Sequence, residues 1–144
     1  MSGLEARRAE RSFGELRFAG YAALFDRRDA GRDTIRAGAF ARSLAGQHAS
    51  LPLFWQHRAD LRIGWVEQAG VDRRGLRVIA MIDNPDGAAG LALRRGKVTG
   101  LSFGYRVRRA RRTPEGRELL DVDLLEVSLV THPMQHAARV HLLT

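Results

Sequence analysis

Residues 98–108 read Val98-Thr99-Gly100-Leu101-Ser102-Phe103-Gly104-Tyr105-Arg106-Val107-Arg108, and residues 119–130 read Leu119-Leu120-Asp121-Val122-Asp123-Leu124-Leu125-Glu126-Val127-Ser128-Leu129-Val130. The first run sets Leu101, Phe103, Tyr105 and Val107 against Ser102, Gly104, Arg106 and Arg108, the period of two that marks a half-buried strand. The second is a long strand-like run, and the stretch from Arg109 to Gly116 is expected to be the turn that connects them. Working outward, Glu15 to Phe25 alternates and carries aromatics, which predicts a long bent strand with Gly20 at a bulge. A polar loop from Asp26 to Asp33 follows. Within Ile35 to Ala45, Phe40 and Leu44 stand four apart, the spacing of one face of a short helix, and Gly46 is its expected stop. Leu51 to His57, Ile63 to Glu67 and Gly75 to Asp83 read as three further strands. Asn84-Pro85-Asp86-Gly87 opens a second helix through Leu93, with Gly96 just past its end. Many strands with two brief helices predict a mainly β fold with helices (α+β), a compact β-barrel with short helices outside it. Residues 1–14 are charged without an apolar stripe and are expected to be a flexible arm, leaving 15–144 as one domain.

Composition agrees with one globular domain, since 144 residues with 44% hydrophobic and 28% charged positions can bury a core without staples. The chain has no cysteine, which excludes disulfides, a cysteine nucleophile and thiolate metal sites. No stretch reaches the ~18 apolar residues of a membrane span, and the first residues lack the apolar segment of a signal peptide, so neither membrane nor secretion is expected. The net charge of +8 suggests phosphate. Yet Lys97 is the only lysine among 24 basic residues, a choice that speaks for codon bias rather than for a selected patch. Nucleic acid is therefore not the expected partner. The densest basic run, Arg106, Arg108, Arg109, Arg111 and Arg112, reads as a solvated hairpin.

Four constellations could carry chemistry. Gly100-Leu101-Ser102-Phe103-Gly104 fits the G-x-S-x-G pattern of a nucleophile elbow, which needs a strand, a sharp turn and a helix. Here the alternation continues past Ser102, which favours a serine inside a strand. The elbow reading, a small esterase with Asp121 or Asp123 and then His132, His136 or His141, stays open at this stage. His57 leaves the apolar run Leu53-Phe54-Trp55-Gln56 beside charged Arg58 and Asp60, a place where an imidazole is partly desolvated yet reachable. Glu126 interrupts an apolar strand, and an ionised carboxylate there costs several kcal/mol unless it finds a cation or an N–H. Asp121 and Asp123, on the alternate face, are explained by solvent. His132, His136 and His141 have spacings of four and five, but Pro133 pushes His132 out of helical conformation and no ligand pattern supports zinc, so no metal and no cofactor is expected.

Taken in order, Ile35-Arg36-Ala37-Gly38-Ala39-Phe40 with Ser43-Leu44, Leu53-Phe54-Trp55-Gln56-His57 with Ile63-Gly64, Gly100 to Tyr105, and Leu125-Glu126-Val127-Ser128-Leu129-Val130-Thr131 with Pro133 resemble the prohead proteases of tailed phages, also called capsid maturation proteases. The resemblance covers residues 15 to 141 and extends to gene transfer agents. It implies the fold of herpesvirus assemblin and a serine endopeptidase enclosed in the immature capsid (prohead), in the cytoplasm of the bacterial host. The implied substrate is the scaffolding segment of the major capsid protein, and the protease itself. His57 matches the family histidine, Ser102 the nucleophile and Glu126 an acidic position of the Leu-Glu-Val-Ser signature. Assemblin has a second histidine as its third member, which keeps His132 open beside Asp123. Assemblin's dimer also admits a homodimer here. Met134-Gln135-His136 departs from the family pattern. A non-catalytic capsid-associated barrel that binds scaffold or nucleic acid is the alternative to an enzyme.

Overall fold

The computed structural model describes residues 15–47 and 49–144; the expected N-terminal arm lies outside the described residues. Eight strands, β1 (Leu16–Leu24), β2 (Asp33–Ile35), β3 (Leu51–Trp55), β4 (Arg58–Val71), β5 (Gly75–Ile82), β6 (Gly100–Thr113), β7 (Gly116–Val130) and β8 (Val140–Leu143), form a single sheet. Two short helices, α1 (Ala41–Ala45) and α2 (Ala88–Arg94), complete the described elements.

The expected strands and helices are present, with differences that have physical causes. β6 and β7 are longer than their alternation suggests, because the arginine-rich segment continues the ladder as far as Thr113 opposite Gly116. What reads as a connecting turn is strand, and only Pro114 and Glu115 make the turn. Its arginines stay extended because cross-strand carboxylates hold two of them: Arg108 donates to Asp123 and Arg111 to Glu118. Phe40 precedes α1 rather than lying on it, and is fully buried against Phe103 at 5.3 Å, edge to face. β2 and β8 have no clear periodicity. β2 is only three residues long and gains its place from a parallel ladder with residues 117–119 of β7.

The sheet runs from β6 through β7, then β2 and β3 on the other edge of β7, then β4, β5, β1 and β8. It curls so strongly that its ends are tied together. Leu101 N–H donates to Ala138 O at 2.8 Å and Val140 N–H to Thr99 O at 2.9 Å, while Gly20 of β1 stands opposite Val140. Segment 138–140 thus bridges β6 to β1, closing a half-barrel around one core that includes Phe18, Leu53, Val78, Leu101, Val127 and Leu129. Gly20 makes the closure possible. A Cβ there would lie 2.4 Å from Arg139 O and 2.9 Å from Val140 Cα, both backbone atoms that cannot swing aside. Gln135 anchors the same loop: its amide accepts from Leu24 N–H at 2.7 Å and donates to Leu24 O at 2.8 Å. No helix among the described residues is long and apolar enough to cross a membrane.

Gly20→Ala should destabilise the fold by about 1–3 kcal/mol, the usual effect of overpacking, measured by urea unfolding; unchanged stability would mean the closure is not tight. Glu118, buried between Arg36 and Arg111, is held below the usual carboxylate range first by the Arg36 hydrogen bond and then by Arg111. A folded pKa below the unfolded one gives stability that is present above the unfolded value of about 4.3 and fades as pH falls through the folded one. Glu118→Gln should therefore lower the melting temperature at pH 7, and its gap to the parent should narrow in melts taken below about pH 4.

Candidate active site

Three strands lie side by side where the sequence-predicted residues meet: β6, β7 and β3. Antiparallel pairing of β6 with β7 sets Ser102 opposite Ser128 and Gly104 opposite Glu126. Partners in such a ladder share a face, with Cβ atoms about 4.5–5.5 Å apart. Leu101 and Phe103, with their partners Leu129 and Val127, point into the core, so Ser102, Glu126 and Ser128 share the opposite face. On the other edge of β7, β3 runs parallel, with Leu53 opposite Val127 and Trp55 opposite Leu129. His57 follows directly on the end of β3.

One irregularity in β7 is decisive. Gly104 pairs with Glu126 but Tyr105 pairs with Leu124, so Leu125 is an extra residue that bulges outward, 45% exposed. Unbroken alternation would put Glu126 on the core face with Val122 and Leu124. The bulge flips the parity and turns the carboxylate to the face of Ser102. It also corrects the expectation for Asp121 and Asp123. Gly104 and Arg106 are two apart on β6, so their partners Glu126 and Asp123 share a face instead of alternating. Asp123 is nonetheless engaged elsewhere: Arg42 and Arg108 bind it at 2.6 Å each and hold it below the usual carboxylate range, Arg42 contributing most.

His57 occupies a two-residue hairpin turn between β3 and β4, with Trp55 paired to Arg58. Gln56 and His57 both have positive φ, 53° and 61°. Such turns favour Asn-Gly, and left-handed backbone costs an ordinary side chain roughly 1–2 kcal/mol per residue. The cost is offset by β7. Gln56 N–H donates to Leu129 O at 3.0 Å, and its side chain exchanges two hydrogen bonds with Thr131, at 2.7 and 3.0 Å. His57 N–H donates to Ser128 Oγ at 3.1 Å.

The imidazole then meets the acid. His57 Nδ1 lies 2.5 Å from Glu126 Oε1, and Ser128 Oγ donates to Glu126 Oε2 at 2.7 Å. With an ionised carboxylate as the acceptor, Nδ1 is the donor of this contact, and a neutral ring then carries its lone pair on Nε2. Glu126 is buried, whereas the His57 side chain is 42% exposed and reachable. Gly104 provides the room. A Cβ there would lie 2.5 Å from Glu126 Oε1 and 2.9 Å from its Cγ.

Ser102 itself is buried within β6, and no helix follows it, which rules out the elbow arrangement and with it the esterase built on one. The structure joins His57 to Glu126 directly. It places Ser102 across the ladder from Ser128 on the same face, without a hydrogen bond to the ring among the described residues. His132 and His136 lie in the loop after β7, and His141 on β8 stacks on Tyr21 at 5.7 Å. Among the described residues no cluster of His, Asp and Glu could hold a metal ion. Sequence reasoning assigned no role to Ser128, Gln56 or Thr131. A serine two residues after a buried glutamate shares its face, and that was the available signal.

The fold is that of the herpesvirus proteases. Varicella-zoster virus protease superposes with a TM-score of 0.62 at 17% identity, over 88% of this chain and 63% of that one. KSHV protease, in complex with a hexapeptide phosphonate inhibitor, superposes with a TM-score of 0.59 at 13% identity, over 90% of this chain and 65% of that one. The family is given by the sequence: residues 2–144 match the caudovirus prohead serine proteases, and the chain belongs to that family. It is 33% identical over 130 residues to the prohead protease of Enterobacteria phage HK97, across 85% of this chain and 58% of that protein, so it spans under two thirds of that relative's length.

Gly104→Ala is expected to push the flexible Glu126 side chain aside while sparing the sheet. Proton NMR should then lose the low-field Nδ1–H signal of His57 with circular dichroism unchanged; persistence of that signal would show that Gly104 does not make room for the carboxylate.

Proposed function

We propose that this chain is a serine endopeptidase whose nucleophile is Ser102, base His57 and orienting acid Glu126. Its substrates are the scaffolding segment of the major capsid protein and the protease itself, within the prohead in the bacterial cytoplasm. The observation that carries the reading is the 2.5 Å contact between His57 Nδ1 and a buried Glu126, on the face that Ser102 shares. A buried carboxylate aimed at one nitrogen of an exposed imidazole leaves the other nitrogen free to act as a base. Membership of the prohead protease family supports the substrate class.

In this reading Ser102 Oγ attacks the scissile carbonyl while His57 Nε2 takes its proton, and the imidazolium is stabilised by Glu126. The tetrahedral intermediate collapses as His57 delivers the proton to the leaving amine, forming an acyl-Ser102 ester. Water, deprotonated by His57, then attacks the ester; as the acyl–Oγ bond breaks and the carboxylic acid leaves, His57 returns the proton to Ser102 Oγ. Glu126 is the third member rather than Asp123, whose carboxylate is occupied by two arginines. A buried acid held against an exposed imidazole supports this reading over a non-catalytic scaffold-binding barrel.

The test is co-expression with the cognate capsid protein, reading the mass of the latter. Ser102→Ala should abolish trimming, and trimming at the parent rate would overturn the assignment. Glu126→Gln keeps volume but loses the charge that supports the imidazolium, so turnover should fall by up to about 10⁴ with the fold intact. Asp123→Asn should leave turnover nearly unchanged.

A further inference from the structure

We propose that Ser128 is a positioning residue for this site: its buried hydroxyl clamps the Glu126 carboxylate and the His57 backbone together and thereby fixes the imidazole tautomer. This rests on the reading of Ser102, His57 and Glu126 as the catalytic set and adds a fourth residue, which acts through the other two.

Ser128 has no solvent exposure, and its hydroxyl has two protein partners. A hydroxyl offers one proton and two lone pairs. The proton goes to Glu126 Oε2 at 2.7 Å, and one lone pair receives the His57 N–H at 3.1 Å. A single oxygen therefore spans the acid and the main chain of the base. Neither bond belongs to the sheet ladder, so a serine serving only the strand would make neither.

The geometry makes the two clamps interdependent. Glu126 presents Oε1 to the ring and Oε2 to Ser128, so rotation of its carboxylate breaks one bond or the other. Gly104 has no side chain to confine the carboxylate from the β6 side, which leaves Ser128 as the group that does so. At the base, Gln56 is caught by the Leu129 carbonyl and by Thr131, while the His57 N–H is caught by Ser128. Both halves of the strained turn are thus moored to β7, the second of them through this hydroxyl. Ser128 also stands opposite Ser102, so displacement at 128 is felt beside the nucleophile.

The consequence is specific to the tautomer. With Ser128 present, Glu126 Oε1 is aimed at Nδ1 and the ring keeps its proton there, which leaves Nε2 able to accept from Ser102. Without it, the carboxylate is free to swing, and both neutral tautomers become populated.

The experiment combines turnover with imidazole nitrogen NMR on the intact chain. Ser128→Ala should lower kcat for capsid-protein trimming roughly 10- to 100-fold, the scale of losing a hydrogen bond to a charged group, with KM changed less than twofold. The His57 nitrogen shifts should move from a pure Nδ1–H form to a tautomer average. Where Ser128→Ala does not fold, Ser128→Cys, with a weak S–H donor of similar size, is read instead and should give an intermediate shift. Unaltered His57 shifts in a folded variant would overturn the proposal, even if kcat falls, because that pattern belongs to a purely structural serine. The NMR measurement needs no substrate. If Ser102→Ala still trims, the catalytic reading fails, while the His57 shifts still decide whether Ser128 sets the tautomer.

Discussion

Everything at the site depends on the register of β7 between β6 and β3. The β6 ladder puts Ser102 across from Ser128 and Gly104 across from Glu126, and the parallel ladder with β3 delivers the Gln56-His57 turn to the same stretch of β7. A slip of one residue would turn Glu126 and Ser128 into the core and Val127 and Leu129 out of it. The fully buried pairs Leu101 with Leu129 and Leu53 with Val127 forbid that slip. Core packing on one face thus fixes the chemistry on the other, and the Leu125 bulge adjusts the parity so that an acid from an apolar run reaches the outer face.

The local conformations at the site are individually unfavourable. Two consecutive non-glycine residues hold positive φ, and a carboxylate is buried. Each has a named partner: the Gln56 clasp on Thr131, the Ser128 hydroxyl under the His57 amide, and the His57 ring together with Ser128 on the two oxygens of Glu126. Strain of this kind persists only where the surroundings over-determine it, and it gathers where geometry matters for function. The rest of the half-barrel supplies that rigidity, through the closure at Gly20 and the Gln135 anchor.

Much of this was legible in the sequence, for reasons that differ by residue. The strand character of 98–108 and 119–130 follows from alternation and apolar content, and Glu126 stood out because its neighbours leave it no solvent. His57 was marked by its place at the end of an apolar strand. The Leu125 bulge was not legible: two leucines in a row carry no period, and only the pairing with β6 reveals which one is extra. The arginine-rich extension of the hairpin was hidden because its stabilising partners, Asp123 and Glu118, lie on the other strand. Ser128 does not stand out in the sequence because a small polar residue in a strand has many bland explanations, and its contact with His57 comes from a segment 71 residues away.

In the proposed mechanism Ser102 is a nucleophile driven by His57. The most direct measurement is covalent labelling with a peptide phosphonate ester followed by mass mapping of the modified residue. One adduct is expected, on Ser102, with its formation lost in His57→Ala and strongly slowed in Glu126→Gln. An adduct on another serine, or labelling of Ser102 at an unchanged rate after His57 is removed, would contradict it.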